Sequence, residues 1–393
     1  MTAAASDAPR RINAVFMRGG TSKAVVFRRV DLPADPAAWD ALFLAVIGSP
    51  DPNGRQLNGM GGGISSLSKI CIVGPSMHPD ADVDYTFAQV AVREPIVDYS
   101  GNCGNMSSAI GPFAVDEGLV EATGAEAKVR IHNTNTGKII VSRFPTAGGR
   151  AVEEGDLVIP GVAGSGAPIR LAFQDPGGAN TGSLLPSGHP LDVLEVPGVG
   201  RVEASLVDST AACVFVEAAA LGRSATEAPQ DLEQNLDLMD RLERIRRAAS
   251  LQMGTAATPE EAARGVAIPR IAMIASPGDS RLLSGKTLYA NECDLQVRMI
   301  SVGQPHRAVP ITGALCIGTA AYIPGTLVHR LARRPADGAE IVRIGQPSGV
   351  TTVAAAVEQT GPAAWHVREA VVWRTARRLM EGTVLVPQGA AAE

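Results

Sequence analysis

Two short stretches carry the residues best suited to chemistry. One reads Ser100-Gly101-Asn102-Cys103-Gly104-Asn105. The β-branched pair Ile96 and Val97 precedes it, and Met106, Ile110, Phe113 and Ala114 follow at helical spacing. This pattern predicts Cys103 on a turn at the N-terminus of a helix. Free backbone N–H groups and the positive end of the helix dipole would there stabilise a thiolate and attract a carboxylate. A competing reading is a strand-to-helix connection whose small Cys is buried and inert. The other stretch reads Asn58-Gly59-Met60-Gly61-Gly62-Gly63-Ile64-Ser65-Ser66-Leu67-Ser68-Lys69 and runs into a strand at residues 70–73. A lysine at the mouth of a buried strand is either an ordinary solvated lysine on a mobile loop or a partly desolvated amine, able to act as a general base. It is no phosphate loop, because Lys69 follows Ser68 rather than a glycine.

These groups need elements to position them. Residues 12–17 read as a strand that opens onto Arg18-Gly19-Gly20-Thr21-Ser22-Lys23, with a second strand at 24–27. The middle piece is a hairpin connection or an anion-binding nest. Residues 37–47 form an amphipathic helix through Trp39, Leu42, Phe43 and Val46, stopped by Gly48-Ser49-Pro50. A strand is expected at 83–92, and a hairpin at 128–131 and 138–144 around His132-Asn133-Thr134-Asn135-Thr136-Gly137. Residues 1–10 read as a disordered leader.

The second half repeats the first in order. Strand, turn and strand recur at 202–216, and a charged amphipathic helix recurs at 231–251. Arg270 begins a strand as Lys69 does, and 294–302 matches 84–92. Ile311-Thr312-Gly313-Ala314-Leu315-Cys316 enters a Gly/Ala helix as 102–107 does, and Arg343 stands where Arg130 stands. An ordered series of matches implies duplication and two similar domains, with a cleft between them as the natural place for a site. The Gly- and Pro-rich stretch 145–190 carries the linker, so the domains are expected at 1–185 and 186–393. The final region, 363–387, has strand character and can cross back to the first domain. On the Gly104–Gly313 match, Cys103 corresponds to Thr312. The acid–base candidates therefore lie in the first half alone. The second half offers Ser284-Gly285-Lys286, His306, Thr312 and Gly313, which read as substrate grips.

Composition sets the bounds. A chain of 393 residues has room for two domains and a large core. Net charge is −5 without a basic block, which gives nucleic acid no footprint. The 5 cysteines show no Cys-x-x-Cys, against structural zinc or a disulfide framework and in keeping with a reducing cytoplasm. No apolar run has membrane-spanning length.

MRGGTSK, GMGGGISSLSK, DYSGNCGN, SGKT and IPGTLV together resemble the PrpF family of 2-methylaconitate isomerases, 4-oxalomesaconate tautomerases or Δ-isomerases and methylitaconate Δ-isomerase. The resemblance covers nearly the whole chain. It implies an α+β fold of the diaminopimelate epimerase type, in which two pseudo-symmetric domains each curl a mixed sheet around a central helix. It places Lys69 and Cys103 at the substrate, and it carries a homodimer. Epimerases of this fold use a thiol from each half. Thr312 or Gly313 stands where the second would be, against a two-thiol epimerase.

The substrate so implied is a small unsaturated polycarboxylate. Moving its double bond needs a proton removed from one carbon and returned to another. Lys69 is the expected base, and Cys103 a second acid or base or a polarising group. The N–H groups of Gly104 and Asn105 would hold a carboxylate and stabilise enolate charge. Arg18, Gly20, Thr21 and Ser22 would hold another, with Ser66, Ser68 and Asn102 around them and Lys286, His306, Thr312 and Gly313 from the second domain. Neither metal nor organic cofactor is signalled, and no nucleic acid or membrane partner is expected. SGKT and IPGTLV favour 2-methylaconitate; residues 98–120 suit an oxalomesaconate substrate as well. An amino- or hydroxy-acid epimerase and a non-catalytic carboxylate binder are the competing functions.

Overall fold

The computed structural model describes residues 9–333, 341–361 and 364–387. The leader expected at 1–10 and the start of the strand region expected at 363 fall largely or wholly outside them. Contacts divide the chain into two units. The first comprises the described residues of Met1–Val158, Val162–Leu171 and Arg374–Glu393, and the second those of Ile159–Gly161 and Ala172–Trp373. The change-over thus falls within the Gly- and Pro-rich stretch, ahead of the 185/186 boundary read from composition. Part of that stretch is itself a strand, Ile169–Gln174.

The first unit begins with a hairpin, Arg10–Gly19 against Ser22–Arg28, paired from Val15↔Val26 to Gly19↔Ser22. The last strand, Ala376–Val386, lies antiparallel to Arg10–Gly19 on its other side. Lys69–Pro75 then adds parallel to Ser22–Arg28, and Val83–Val90 antiparallel to Lys69–Pro75. Glu126–Asn133 is parallel to Val83–Val90, and Lys138–Ala147 closes a hairpin with it. The two parallel steps each need a crossover. The first contains helix Trp39–Ile47, and the second contains helix Gly104–Asp116.

These two helices serve opposite faces of the sheet. Trp39, Leu42, Phe43, Val46 and Ile47 pack with Val25, Phe27, Ile70, Ile72, Ala88 and Val90. Phe27 and Phe43 stack with ring centroids 6.1 Å apart, each worth about 1.5–3 kcal/mol of burial. Gly104–Asp116 is buried all the way round: every residue from Met106 to Val115 is in the interior. It touches strands at both ends of the sheet order, which therefore wraps it. A helix buried on all sides needs small residues where strands come close. A Cβ on Gly111 would lie 2.6 Å from Ser142 Oγ.

The second unit repeats this plan. Gly200–Ser209, Ala211–Glu217, Arg270–Ala275, Leu295–Ser301, Ile341–Gln346 and Gly349–Gln359 pair in that order, with the same alternation of antiparallel and parallel neighbours. Asp192–Val196 and Trp365–Arg374 extend the two ends. Helix Ile311–Ala321 is the buried central one. The charged helix expected at 231–251 is two helices, Pro229–Gln234 and Leu236–Gln252. Asn235 separates them and accepts the Leu238 N–H at 3.0 Å, an N-cap that restarts the helix. Leu238, Leu242, Ile245 and Ala249 face Leu206, Val214, Ile271 and Met273.

The repeat extends to side chains. Arg130 Nη2 donates to Asp82 Oδ1 at 2.7 Å, and Arg343 Nη2 to Asp294 Oδ1 at 2.7 Å. Both arginines sit on the strand beside the parallel step and read as structural. One sequence match shifts. The central helices begin at Gly104 and Ile311, so their N-caps are Cys103 and Pro310. Cys103 corresponds to Pro310, not to Thr312. Runs of Gly and Ala left this register undetermined in the sequence.

Candidate functional site

Strand Lys69–Pro75 has two faces. Ile70 and Ile72 belong to the cluster under helix Trp39–Ile47. Alternation therefore turns Lys69, Cys71 and Val73 to the face of the central helix. The antiparallel neighbour sets Gln89 opposite Lys69, Phe87 opposite Cys71 and Tyr85 opposite Val73. Lys69 is only 7% exposed. Its Nζ donates to Gln89 Oε1 at 2.5 Å and lies 4.9 Å from the Phe87 ring centroid. Gln89 Nε2 donates in turn to Ser68 O at 2.9 Å and Ser65 O at 3.1 Å. Among the described residues no carboxylate forms an ion pair with Lys69. Its polar partner is a neutral amide.

Cys103 is half-buried at the N-cap of Gly104–Asp116, and its side chain makes no capping hydrogen bond. Its carbonyl accepts the Ser107 N–H at 3.0 Å, the first bond of the helix. The N–H groups of Gly104, Asn105 and Met106 precede that bond and have no intrahelical acceptor. Cys71 lies fully buried with its Sγ 3.8 Å from Tyr85 Oη. Burial pushes its thiol up, Cys103 pushes it further, and Lys69 pulls it back. Cys71 thus feels both predicted catalytic groups while remaining a neutral thiol itself.

Asn105 joins the helix start to the first hairpin: its Oδ1 accepts the Thr21 N–H at 3.2 Å. Asn102 Oδ1 accepts from Ser107 Oγ at 3.3 Å and Asn133 Nδ2 at 3.4 Å. Thr21 is exposed at the hairpin tip, while Ser22 is buried in its strand. Arg18 is half-buried, and its Nη1 reaches Gly20 O at 3.1 Å, Thr375 O at 2.9 Å and Thr375 Oγ1 at 3.0 Å. Burial and the nearby Arg377 push this guanidinium below its ordinary value. The fold thus uses Arg18 to tie the hairpin to the returning last strand.

The glycine loop is ordered from a residue the sequence reading passed over. Gln56 Oε1 accepts from Ser68 Oγ at 2.6 Å and from Gly63 N at 2.8 Å, and its Nε2 donates to Ser49 Oγ at 2.8 Å. Ser68, fully buried, is committed to this network; Ser66 lies partly exposed on the short turn Ser65–Leu67. Gln89 was passed over too, since only strand register brings it to Lys69. Nothing local marks either residue.

In the second unit, Thr312 and His306 come together around Arg270. Arg270 Nη1 donates to Thr312 Oγ1 at 2.6 Å, and Thr312 O accepts from Thr210 Oγ1 at 2.7 Å. His306 Nε2 lies 2.6 Å from Ser301 Oγ. Burial, reinforced by Arg270, pushes the His306 imidazole down to about 4. Gly313 is buried against Met299, whose Sδ would be 2.5 Å from a Cβ there. Lys286 is exposed on the tight turn between Ser280–Arg281 and Thr287–Leu288, away from this group in the chain, with its backbone bonded to Ser284 and Leu282. Arg270, absent from the expected site residues, takes the place of Lys69: each is the first residue of its strand. The duplication was the signal that marks it. Among the described residues, no group of three or more His, Cys, Asp or Glu side chains is placed to hold a metal ion.

Comparison with known proteins agrees along almost the full chain. The PrpF protein family model matches residues 9–387. The 3-methylitaconate isomerase of Eubacterium barkeri is 43% identical over 96% of this chain and 97% of its own length. The 2-methyl-aconitate isomerase of Shewanella oneidensis is 42% identical over 96% and 97%. A crystal structure of methylitaconate-delta-isomerase superposes with a TM-score of 0.91 at 42% identity, covering 99% of this chain and 98% of that one. The chain is an isomerase of the PrpF family, with an α+β fold built on mixed sheets.

Proposed function

We propose that this isomerase moves a carbon–carbon double bond by 1,3-allylic proton transfer in an aconitate-like polycarboxylate, with 2-methylaconitate as the favoured substrate. The observation that carries this reading is the Lys69 amine: buried, hydrogen-bonded to a neutral amide, and on the face of the sheet that holds the Cys103 helix. The neutral amine takes a proton from the allylic carbon. The C–H electron pair enters the π system, and charge spreads to a conjugated carboxylate oxygen. The N–H groups of Gly104 and Asn105 hold that oxygen at the positive end of the helix. The Lys69 ammonium then returns the proton at the far carbon, which completes the shift. One base on one face suffices. Cys103 lines this site. Its counterpart in the second unit is Pro310, which supports an isomerase over a two-thiol epimerase.

The matched strand orders of the two units support a diaminopimelate epimerase-like arrangement as part of the same proposal. A second substrate reading, oxalomesaconate, has support from the (4E)-oxalomesaconate Delta-isomerase of a Novosphingobium species, 38% identical over 95% of this chain. Incubation with 2-methylaconitate, aconitate and oxalomesaconate in D2O, followed by NMR, separates the two. Deuterium should enter the allylic carbon fastest with 2-methylaconitate. Undiminished exchange in Lys69→Met would refute Lys69 as the base.

A further inference from the structure

The Lys69 amine is long, flexible and attached at the mouth of its strand, so something must fix where it points. Four rotatable bonds would otherwise spread it over several rotamers. Its neighbourhood supplies two constraints. The Phe87 ring lies against one side, 4.9 Å from Nζ at its centroid. On the facing position of the next strand, Gln89 Oε1 accepts from Nζ at 2.5 Å. The orientation of that amide is itself fixed. Its Nε2 donates to Ser68 O at 2.9 Å and to Ser65 O at 3.1 Å, both backbone carbonyls of the turn leading into Lys69. A flipped amide would set its oxygen against two carbonyl oxygens and lose both backbone bonds. Gln89 Oε1 therefore faces Lys69 by necessity.

The choice of an amide is also chemically specific. A carboxylate of the same length would attract the charged form of the amine and resist its deprotonation. An apolar side chain would leave the amine without a partner in a buried place. An amide oxygen accepts a hydrogen bond from the amine and the ammonium alike, adding no charge to either.

We infer that Gln89 is a positioning residue for proton transfer: its backbone-locked amide holds the Lys69 amine in one place on the central-helix face of the sheet without adding a charge. This inference rests on the reading of Lys69 as the base. It adds a residue that touches no substrate and acts through Lys69 alone.

Two near-isosteric variants test it, Gln89→Met and Gln89→Glu, with Lys69→Met as reference and 2-methylaconitate in D2O as probe. Gln89→Met removes the acceptor and the lock. Its kcat should fall roughly 10- to 100-fold, the loss expected when a catalytic group is displaced by about 1 Å, with KM changed less than threefold. Gln89→Glu keeps an acceptor and adds charge. The acid limb of its kcat–pH profile should move up by about 1 pH unit or more, as an opposite charge in contact produces. A merely structural role would alter thermal stability without the selective fall in kcat of Gln89→Met. Wild-type kcat in Gln89→Met, or an unmoved limb in Gln89→Glu, overturns the inference. If Lys69→Met itself retains exchange, the base reading falls and this inference with it. If only Lys69→Met is inactive, the base reading stands and the role of Gln89 is rejected alone.

Discussion

A Cβ added to Gly20 would overlap Asn105 Oδ1, the same atom that accepts the Thr21 N–H at 3.2 Å. Gly20 also has φ +51°, in the left-handed region. Gly19 lies as close: its Cβ would come 2.8 Å from Asn105 O. The double glycine in Arg18-Gly19-Gly20-Thr21 thus lets the first hairpin seat on the N-terminus of the central helix. Gly20→Ala should cost about 1–3 kcal/mol from backbone strain and overlap together, read as a lower urea midpoint. Asn105→Ala removes the overlap but not the strain. The double variant should therefore lose less than the sum of the two single ones. Strict additivity would mean that the hairpin and helix do not meet as described.

The pH dependence of stability should carry the signature of His306. Burial, reinforced by Arg270, holds its imidazole at about 4, against an ordinary value of 6.5. The folded state binds fewer protons than the unfolded chain between those values. Stability from this group is therefore complete above about pH 6.5 and is lost progressively as pH falls towards 4. His306→Gln should flatten the acid side of a plot of Tm against pH. Arg270→Gln removes the reinforcing charge, so its acid loss should still begin near pH 6.5 but finish at a higher pH than about 4 and be smaller in total. Identical acid slopes in the wild type and His306→Gln would exclude the imidazole as the source.

The two matched arginine–aspartate pairs should differ in strength. Asp82 keeps 25% of its side-chain surface, whereas Asp294 keeps 2%. Desolvation works against the Asp82 carboxylate, but its bonds to Arg130 outweigh it and hold the group below its ordinary value. Removing the arginine leaves Asp82 partly in water and Asp294 buried without its guanidinium. Arg343→Met should cost roughly 2–4 kcal/mol and Arg130→Met clearly less. Chemical denaturation of both variants measures the ranking, and equal losses would contradict it.

Much of this architecture was legible because hydrophobic period and turn residues act locally. Trp39, Leu42, Phe43 and Val46 declared their helix by spacing, and the order of strands declared the duplication. The cysteine at a helix start was readable from one turn of sequence. What escaped was set by register and distance. Gln89 meets Lys69 only once two strands align, and Gln56 organises the glycine loop through contacts 7 and 12 positions along the chain. The same holds for Thr375, whose bond to Arg18 spans 357 positions. The helix-start match at Gly313 was displaced because Gly and Ala carry too little pattern to fix a register. Asn235 divided a helix that its apolar spacing alone would have continued.

The Cys103 side chain leaves the helix N-terminus uncapped, and a serine would not. A Ser hydroxyl at an N-cap accepts the N–H of the second or third helical residue, here Asn105 or Met106. In Cys103→Ser that bond should stabilise the protein by about 1 kcal/mol, seen as a raised Tm. The same bond would occupy an amide that the proposed mechanism assigns to the substrate carboxylate, so KM should rise. Cys103→Ala separates this effect from the loss of the thiol, because alanine neither caps nor ionises. Suppose the thiol only shapes the site. Cys103→Ala should then keep KM near wild type and most of kcat, with Cys103→Ser the weaker binder despite its greater stability. If the thiol transfers a proton, kcat should fall in both variants, by the 10²- to 10⁴-fold typical of a lost general acid or base. A Cys103→Ser protein with a raised Tm but an unchanged KM would show that the amides of this helix start are not where the carboxylate binds.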